Sequence, residues 1–299
     1  MKLIHVKGDT WYLDGPQSIP LYKVTENTCI LLDAGEITDR EMIEQTLKDH
    51  QLQLVGIIGT HVHTDHSPNH SYFQRKYDIP VALPLGEGGV SSSRLALKAY
   101  FYMFTEQQID QYQELSDMAV FPDKIIMPEE SHIYFCDTKF DIIHTPGHSP
   151  DHISILTPDG VLYLGDALLT IDTIVNAKIP YFFSLERAIE TMEQLKEYRQ
   201  YLWLSAHRGI CEDIESTIET NIRIIRERSQ QIASCLKDEM TFDQLLNAVC
   251  QHFSLLSGNM FKCKVYERNI RTFIEYLVDI KVIDSYARKG IIYYRLAEE

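Results

Sequence analysis

No run of about eighteen apolar residues occurs anywhere in this 299-residue chain, so it offers no candidate transmembrane helix. Nor does Met1-Lys2-Leu3-Ile4-His5 lead into a long apolar segment of the secretory kind; the expectation is a cytoplasmic protein. The six cysteines (Cys29, Cys136, Cys211, Cys235, Cys250, Cys263) are scattered, with no CxxC pair. That argues against a thiolate zinc site or a disulfide framework and points to free thiols. Basic residues are outnumbered, 28 Lys and Arg against 43 Asp and Glu, for a formal net charge of -15. Such a balance disfavours broad electrostatic attachment to nucleic acid or to an anionic membrane. Also missing are a Gly-rich phosphate loop after a strand, a serine in a GxSxG elbow, a cysteine beside a histidine, an internal repeat and any low-complexity tract. Nucleotide-cofactor and covalent mechanisms therefore have little support. What is present is a globular composition, 44% hydrophobic, long enough for one large domain plus a small one.

The densest chemistry lies in Thr60-His61-Val62-His63-Thr64-Asp65-His66, directly after the apolar run Leu54 to Gly59, which reads as a buried strand. Imidazole nitrogens and carboxylate oxygens are the ligands that hold zinc and similar first-row metals, and a loop leaving a strand end can turn several toward one point. The plain alternative is a polar loop whose histidines cap a helix or face solvent. The rest of the chain decides between them.

Short β-like pieces at 2–6, 10–13, 21–24 and 28–32 are separated by Gly, Pro and Asn turn signals, an antiparallel start. Thr38 with Glu41 predicts a capping box for a helix to about His50. After the histidine loop, a helix over 67–77 and a strand over 79–83 continue an α/β alternation. A helical insertion is expected over about 84–131: a Gly-rich loop around Pro84 to Gly89, then a helix over 93–118 carrying Tyr100-Phe101-Tyr102-Met103-Phe104. Those aromatics suit a cover or dimer contact, or a lid on an apolar substrate pocket. Strands follow at 133–136, 140–143, 153–156 and 161–164, then a helix from Ser184 to about Tyr198 and a strand at 202–205. His148, Asp166 and His207 each sit just past one of these strands, where α/β folds gather their site residues.

Ile214, Ile218, Ile222, Ile225, Ile232 and Leu236 mark one face of an amphipathic helix over 212–240 that bridges two units. Beyond it, helices at 242–253 and 265–280 and a hairpin over 283–296 turning near Arg288-Lys289-Gly290 suggest a winged-helix-like domain over 241–299.

His61, His63, Asp65, His66, His148, Asp166 and His207 make seven ligand-capable residues, too many for one tetrahedral ion. Two ions fit better, one carboxylate bridging them and open positions left for water and substrate. Metal-bound water can reach a pKa near ~7, giving a hydroxide nucleophile, while the second ion polarises a carbonyl or phosphoryl oxygen. Zinc suits these ligands, with iron or manganese as alternatives. His5, His50, His132 and His252 read as surface or packing residues, whereas His70, His144 and His152 lie close enough to the motifs to support the ligands.

Taken in order, THVHTDH, His148 in TPGHSPDH, Asp166 in LGDAL and His207 in AHRG, with Asp33 in LLDAG leading them, resemble the metallo-β-lactamase superfamily over about residues 20–210. The resemblance implies an αββα sandwich, domain 1–211, with the site at one edge. It implies that His61, His63 and His148 bind a first ion, that Asp65, His66 and His207 bind a second, and that Asp166 bridges them. Asp65 and Asp166 would be the catalytic carboxylates, while Asp33, with His144 and His152, would orient ligands from behind. The tail resembles that of the subgroup containing β-lactamase-like protein 2, and HTPGHSPDH resembles the corresponding stretch of hydroxyacylglutathione hydrolase, although Asp151 stands where a glycine is common.

The expected function is a dinuclear metal-dependent hydrolase, a homodimer acting on an ester, thioester or related small molecule. A nuclease cleaving phosphodiesters is the alternative. Against it, residues 241–299 hold eight Lys/Arg and seven Asp/Glu, and the first 240 hold 20 against 36, so neither part offers a basic stripe. An iron-dependent oxygenase and a DNA-binding regulator with a vestigial site are the remaining classes. The complete ligand set disfavours the last. The helix expected at 265–280 carries Glu267, Glu275 and Asp279 against Arg268 and Arg271, a poor face for phosphates. The tail is therefore expected to pack on a metal domain and shape the pocket entrance.

Overall fold

The computed structural model describes residues 1–298. Its first sheet runs in chain order through β1 (Lys2–Lys7), β2 (Thr10–Asp14), β3 (Ser18–Thr25), β4 (Thr28–Leu32), β5 (Gln53–Ile58), β6 (Val81–Pro84) and β7 (Lys124–Ile126). The first four pair antiparallel through tight turns. From β4 onward the pairing is parallel, because helices α1 (Arg40–Asp49), α2 (His70–Tyr77) and α3 (Leu85–Ser91) intervene and return the chain across the same face. The second sheet is ordered β13-β12-β11-β10-β9-β8, from β8 (His132–Phe135), β9 (Thr138–His144), β10 (Ile153–Leu156), β11 (Val161–Tyr163), β12 (Leu202–Ser205) and β13 (Gly209–Cys211).

Strand periodicity builds the layers. Successive side chains on a strand point to opposite faces, and in β4 Cys29 and Leu31 pack outward against α1 and α2 while Ile30 and Leu32 pack inward. In β11 and β12, Val161, Tyr163 and Leu204 face the first sheet, whereas Leu162 and Trp203 face outward. The inner faces meet in one core and each outer face is covered by helices, which is the expected αββα order.

The helices outside the second sheet are α8 (Leu185–Leu195), α9 (Ile214–Ser234), α10 (Phe242–His252) and α11 (Met260–Asp279); the short α4 (Arg94–Tyr100), α5 (Glu106–Gln111), α6 (Gln113–Ser116) and α7 (Ile171–Asn176) complete the set. Ile218, Ile222, Ile225 and Ile232 of α9 are buried, as their spacing predicts. They join Leu245, Phe273, Ile274 and Leu277 of α10 and α11 in the same cluster as Leu162 and Trp203. The tail thus shares a continuous core with the second sheet. Its small sheet is ordered β14-β16-β15, from β14 (Met240–Thr241), β15 (Ile283–Arg288) and β16 (Ile291–Leu296).

Several local expectations change. The Gly-rich stretch after Pro84 is helix α3 rather than a loop. Its glycine at 86 meets a packing demand, since a Cβ there would stand 2.8 Å from Asp151 Cβ. The helix expected over 93–118 breaks into α4, α5 and α6, with Thr105 capping α5 in a capping box with Gln108. Residues 124–126 of the insertion form the edge strand β7. The capping box near 38 is Glu36 with Asp39, not Thr38 with Glu41, and it caps a short 3-10 turn leading into α1. The 8–9 hairpin turns at Cys136-Asp137 and the 15–16 hairpin at Lys289-Gly290, all four with positive φ as type I′ turns require. Finally, α11 starts five residues earlier than expected, where Asn259 accepts from the Lys262 N–H. Among the described residues, no helix is long and apolar enough to cross a membrane.

Candidate metal centre

Five strand ends meet at one edge of the sandwich. β4 ends in Asp33, β5 in the loop 60–66, β9 in the loop carrying His148, β11 in Asp166 and β12 in His207. Three overlapping groups of ligand-capable atoms converge there, His61/His63/His148, Asp65/His66/Asp166/His207 and, behind them, Asp33/His61/His66, the atoms of each lying within 4.8 Å of one another. His63 Nδ1 faces His148 Nε2 at 2.9 Å. Asp166 lies between the first two groups, with Oδ2 3.3 Å from His148 Nε2 and Oδ1 3.5 Å from His66 Nε2 and 3.4 Å from His207 Nε2. Two ligands ~2.1 Å from a tetrahedral ion stand about 3.4 Å apart, which is the spacing Asp166 makes with the three histidines.

Three further observations fit metal ions. Among the described residues His61 Nε2, His66 Nε2 and Asp166 Oδ1 are buried and have no hydrogen-bond partner, an arrangement that costs stability unless something else satisfies them. Among the described residues no Lys or Arg pairs with Asp33, Asp65 or Asp166, whose only ionic neighbours are histidines. Burial and the surrounding imidazoles hold His61 and His63 well below the ordinary imidazole range, so both are neutral and offer a lone pair. Burial alone would push the Asp166 carboxyl up, but His66, His148 and His207 hold it well below its usual range. For His66 burial acts downward, and Asp65, Asp166 and Asp33 overcome it and raise the imidazole well above its ordinary value. That excess of negative charge is what a dication would neutralise.

Behind these atoms lies a hydrogen-bonded support. Asp33, in the left-handed region at φ 63°, accepts from Thr60 N (2.7 Å), Thr60 Oγ1 (2.8 Å) and the Tyr163 hydroxyl (2.7 Å), and its Oδ2 lies 2.9 Å from His66 Nδ1. His152 is fully buried, its Nε2 accepting from the Asp166 N–H at 3.1 Å and its Nδ1 2.8 Å from Thr145 Oγ1. Gly165, at φ 52°, lets the chain pass here, since a Cβ would come within 2.7 Å of His152 Nε2. His144 departs from expectation: its Nε2 meets the Glu130 carbonyl at 3.0 Å, so it secures a strand end and touches no ligand. His70 is fully buried beside Gly59, with neither ring nitrogen bonded. His5, His50, His132 and His252 are exposed.

Other residues at the site escaped the sequence reading. Glu87 of α3 is 1% exposed and accepts from Val62 N (2.9 Å), Ser149 Oγ (2.6 Å) and Asp151 N (3.1 Å), tying the loops that carry His61, His63 and His148. Tyr100 places its hydroxyl 3.1 Å from His63 Nε2 and 3.2 Å from the Tyr181 hydroxyl, which accepts from Arg268. With the His63 Nδ1 lone pair turned to the cluster, Nε2–H donates to Tyr100 and the tautomer is fixed. Gln17 donates to Asp65 Oδ2 at 2.8 Å. Only Tyr100 carried a signal, as part of the aromatic run; Arg268 and Glu87 reach the site from distant helices.

Sandwich and site together define a metalloprotein whose ligands hang on the strand ends of two facing sheets. The chain belongs to the metallo-beta-lactamase superfamily, whose family model matches residues 14–207. It is 27% identical over 153 residues to a hydroxyacylglutathione hydrolase from Shewanella oneidensis, covering 50% of this chain and 47% of that protein. It is also 27% identical over 126 residues to a ribonuclease Z from Streptococcus uberis, covering 37% and 38%. The chain spans about half or less of the length of these curated relatives. The crystal structure of a beta-lactamase domain protein from Burkholderia ambifaria superposes with a TM-score of 0.74 over 99% of this chain and 93% of that one at 17% identity, a likeness of fold.

Proposed function

We propose that this protein is a dinuclear metal-dependent hydrolase acting on an ester, thioester or related small molecule, with zinc as the metal and iron or manganese as alternatives. The observation that carries this reading is the pair of convergent ligand groups opening into a cavity of about 410 Å³ walled mainly by apolar side chains. His61, His63 and His148 would hold one ion and Asp65, His66 and His207 the other, with Asp166 shared. When bound, two such ions acidify water and polarise a carbonyl oxygen.

The chain's own groups then divide the work. Asp33 and His152 hold His66 and the Asp166 backbone in place. Asp65 is 29% exposed, the most open of the three carboxylates, and is steered by Gln17. Its Oδ1, free of protein partners among the described residues, takes the proton released on attack and returns it to the departing alcohol or thiol. The reading extends to a homodimer in the cytoplasm, where six free cysteines are at home. It also includes the division into a metal domain at 1–211, a bridging helix at 212–240 and a winged-helix-like unit at 241–299.

The likeness to ribonuclease Z favours a second reading, a nuclease acting on phosphodiesters, while the net charge and the apolar cavity favour the first. An iron-dependent oxygenase is the third possibility for such ligands. Metal analysis of protein purified without added metal, followed by a screen across thioesters, lactones, phosphodiesters and RNA, separates the three. In the same assays Asp166→Ala should lose metal and nearly all hydrolysis, with His132→Ala as a silent control. Two metals per chain and full activity in Asp166→Ala would sink the assignment.

A further inference from the structure

The cavity beside the ligands has a wall that the metal domain does not supply. Phe261, Val265, Arg268 and Asn269 of α11 line it together with Phe101 and Phe104 of the insertion and with His63, Asp65, His148 and Asp166 of the cluster. Phe261 packs at a tilt against Phe104 (5.3 Å) and edge-on against Tyr112 (5.0 Å between ring centroids), holding α11 against the insertion. Arg268 is half-buried among Tyr181 (4.3 Å), Tyr100 (4.5 Å) and Phe101 (5.0 Å), measured to ring centroids. The Tyr181 ring in turn stands 5.1 Å from His63. Among the described residues this guanidinium forms no ion pair within 4.0 Å; it packs on the aromatic faces and donates to the Tyr181 hydroxyl, and it also borders a neighbouring pocket that holds Glu186, Glu275 and Asp279. Every other charged group lining this cavity belongs to the metal cluster. A half-buried cation one ring away from the metal cluster, lining the same mainly apolar cavity, matches a molecule with an anionic or strongly polar carbonyl end and an apolar body.

We propose that the cavity takes the apolar acyl arm of a thioester or ester, and that Arg268 holds the carboxylate end of the acid released from it. The inference rests on the hydrolase reading and names the substrate class for that site. In the reaction a bond forms between the acyl carbon and the water oxygen while the acyl C–S or C–O bond breaks. One water proton leaves with the thiol or alcohol, and the other is released as the acid ionises. At roughly 30 Å³ per water-sized group, 410 Å³ holds on the order of ten to fourteen heavy atoms. The arm is therefore medium-length.

Zinc-loaded enzyme is assayed with S-acyl-N-acetylcysteamines from acetyl to decanoyl, and acetate, octanoate and octanol are titrated by calorimetry. Each added methylene should raise kcat/KM about three- to fourfold until the cavity is full, as expected for burying a CH₂ group. Octanoate should bind at least tenfold more tightly than acetate. Val265→Trp, which fills the cavity, should flatten the chain-length profile. Arg268→Met should weaken octanoate at least tenfold and leave octanol unchanged. A flat profile, or octanoate binding no better than acetate, overturns the proposal while leaving a hydrolase in place. If no ester or thioester is cleaved yet octanoate still binds in an Arg268-dependent way, the acyl cavity stands and the hydrolase reading fails.

Discussion

Replacing Glu87 with alanine tests how the two ligand loops are held together. The carboxylate accepts from Val62 N, Ser149 Oγ and Asp151 N. Val62 and Ser149 are buried, so their donors have no water to turn to, whereas Asp151 is half-buried and recovers a solvent partner. Leaving two buried donors unsatisfied costs about 1–3 kcal/mol each. Removing a buried anion gives part of that back, because burial disfavours the charge and pushes the Glu87 carboxyl up. The net loss expected is about 2–4 kcal/mol. For a chain of this length that lowers Tm by about 3–6 °C. Glu87→Gln keeps the shape but turns an NH₂ toward one donor, and should lose roughly half as much. The measurement is thermal unfolding of metal-stripped protein, so that metal binding does not mask the change. A competitive chelator titration then reads metal affinity, which on the proposed assignment should fall about tenfold for the His61/His63/His148 group because Glu87 ties the loops that carry all three histidines. If metal-stripped Glu87→Ala unfolds within 1 °C of the parent and binds metal equally well, the carboxylate does not tie the loops.

Two other outcomes follow from the same geometry. Tyr100→Phe keeps the ring but removes the acceptor of the His63 Nε2–H; affinity for one ion should fall about tenfold, with that for the other unchanged. Equal loss at both ions, or none, would refute the assignment of His63 to one ion. Burial pushes the Cys29 thiol up to about 12, so at pH 8 it stays protonated and unreactive, while Cys263 is exposed. Ellman's reagent should give a fast phase that Cys263→Ser removes, with Cys29 reacting only after unfolding; rapid modification of Cys29 in native protein would show that its burial is wrong.

The sequence by itself carried the candidate ligands that the fold brings together and the fold's layering, and for one reason. Both depend on short-range patterns. His61, His63, Asp65 and His66 lie in one loop, and the other candidate ligands each follow a strand whose apolar alternation is legible. The α9 face was visible because a 3.6-residue period survives in any window of that length. Tertiary structure decided the rest. The need for glycine at 86 came from Asp151, 65 residues away, whose side chain would meet a Cβ there and whose Oδ2 accepts from the Gly86 N–H at 2.7 Å. His144 sits four residues before His148, yet the strand direction sends its ring to Glu130 rather than to the cluster. Arg268 read as one charge on a mixed helix face and took on meaning only when α9 carried α11 back over Tyr100 and Tyr181. Local preference specifies where ligands are offered, but the wall of the cavity beside them is built from segments whose contact is set by packing the whole chain.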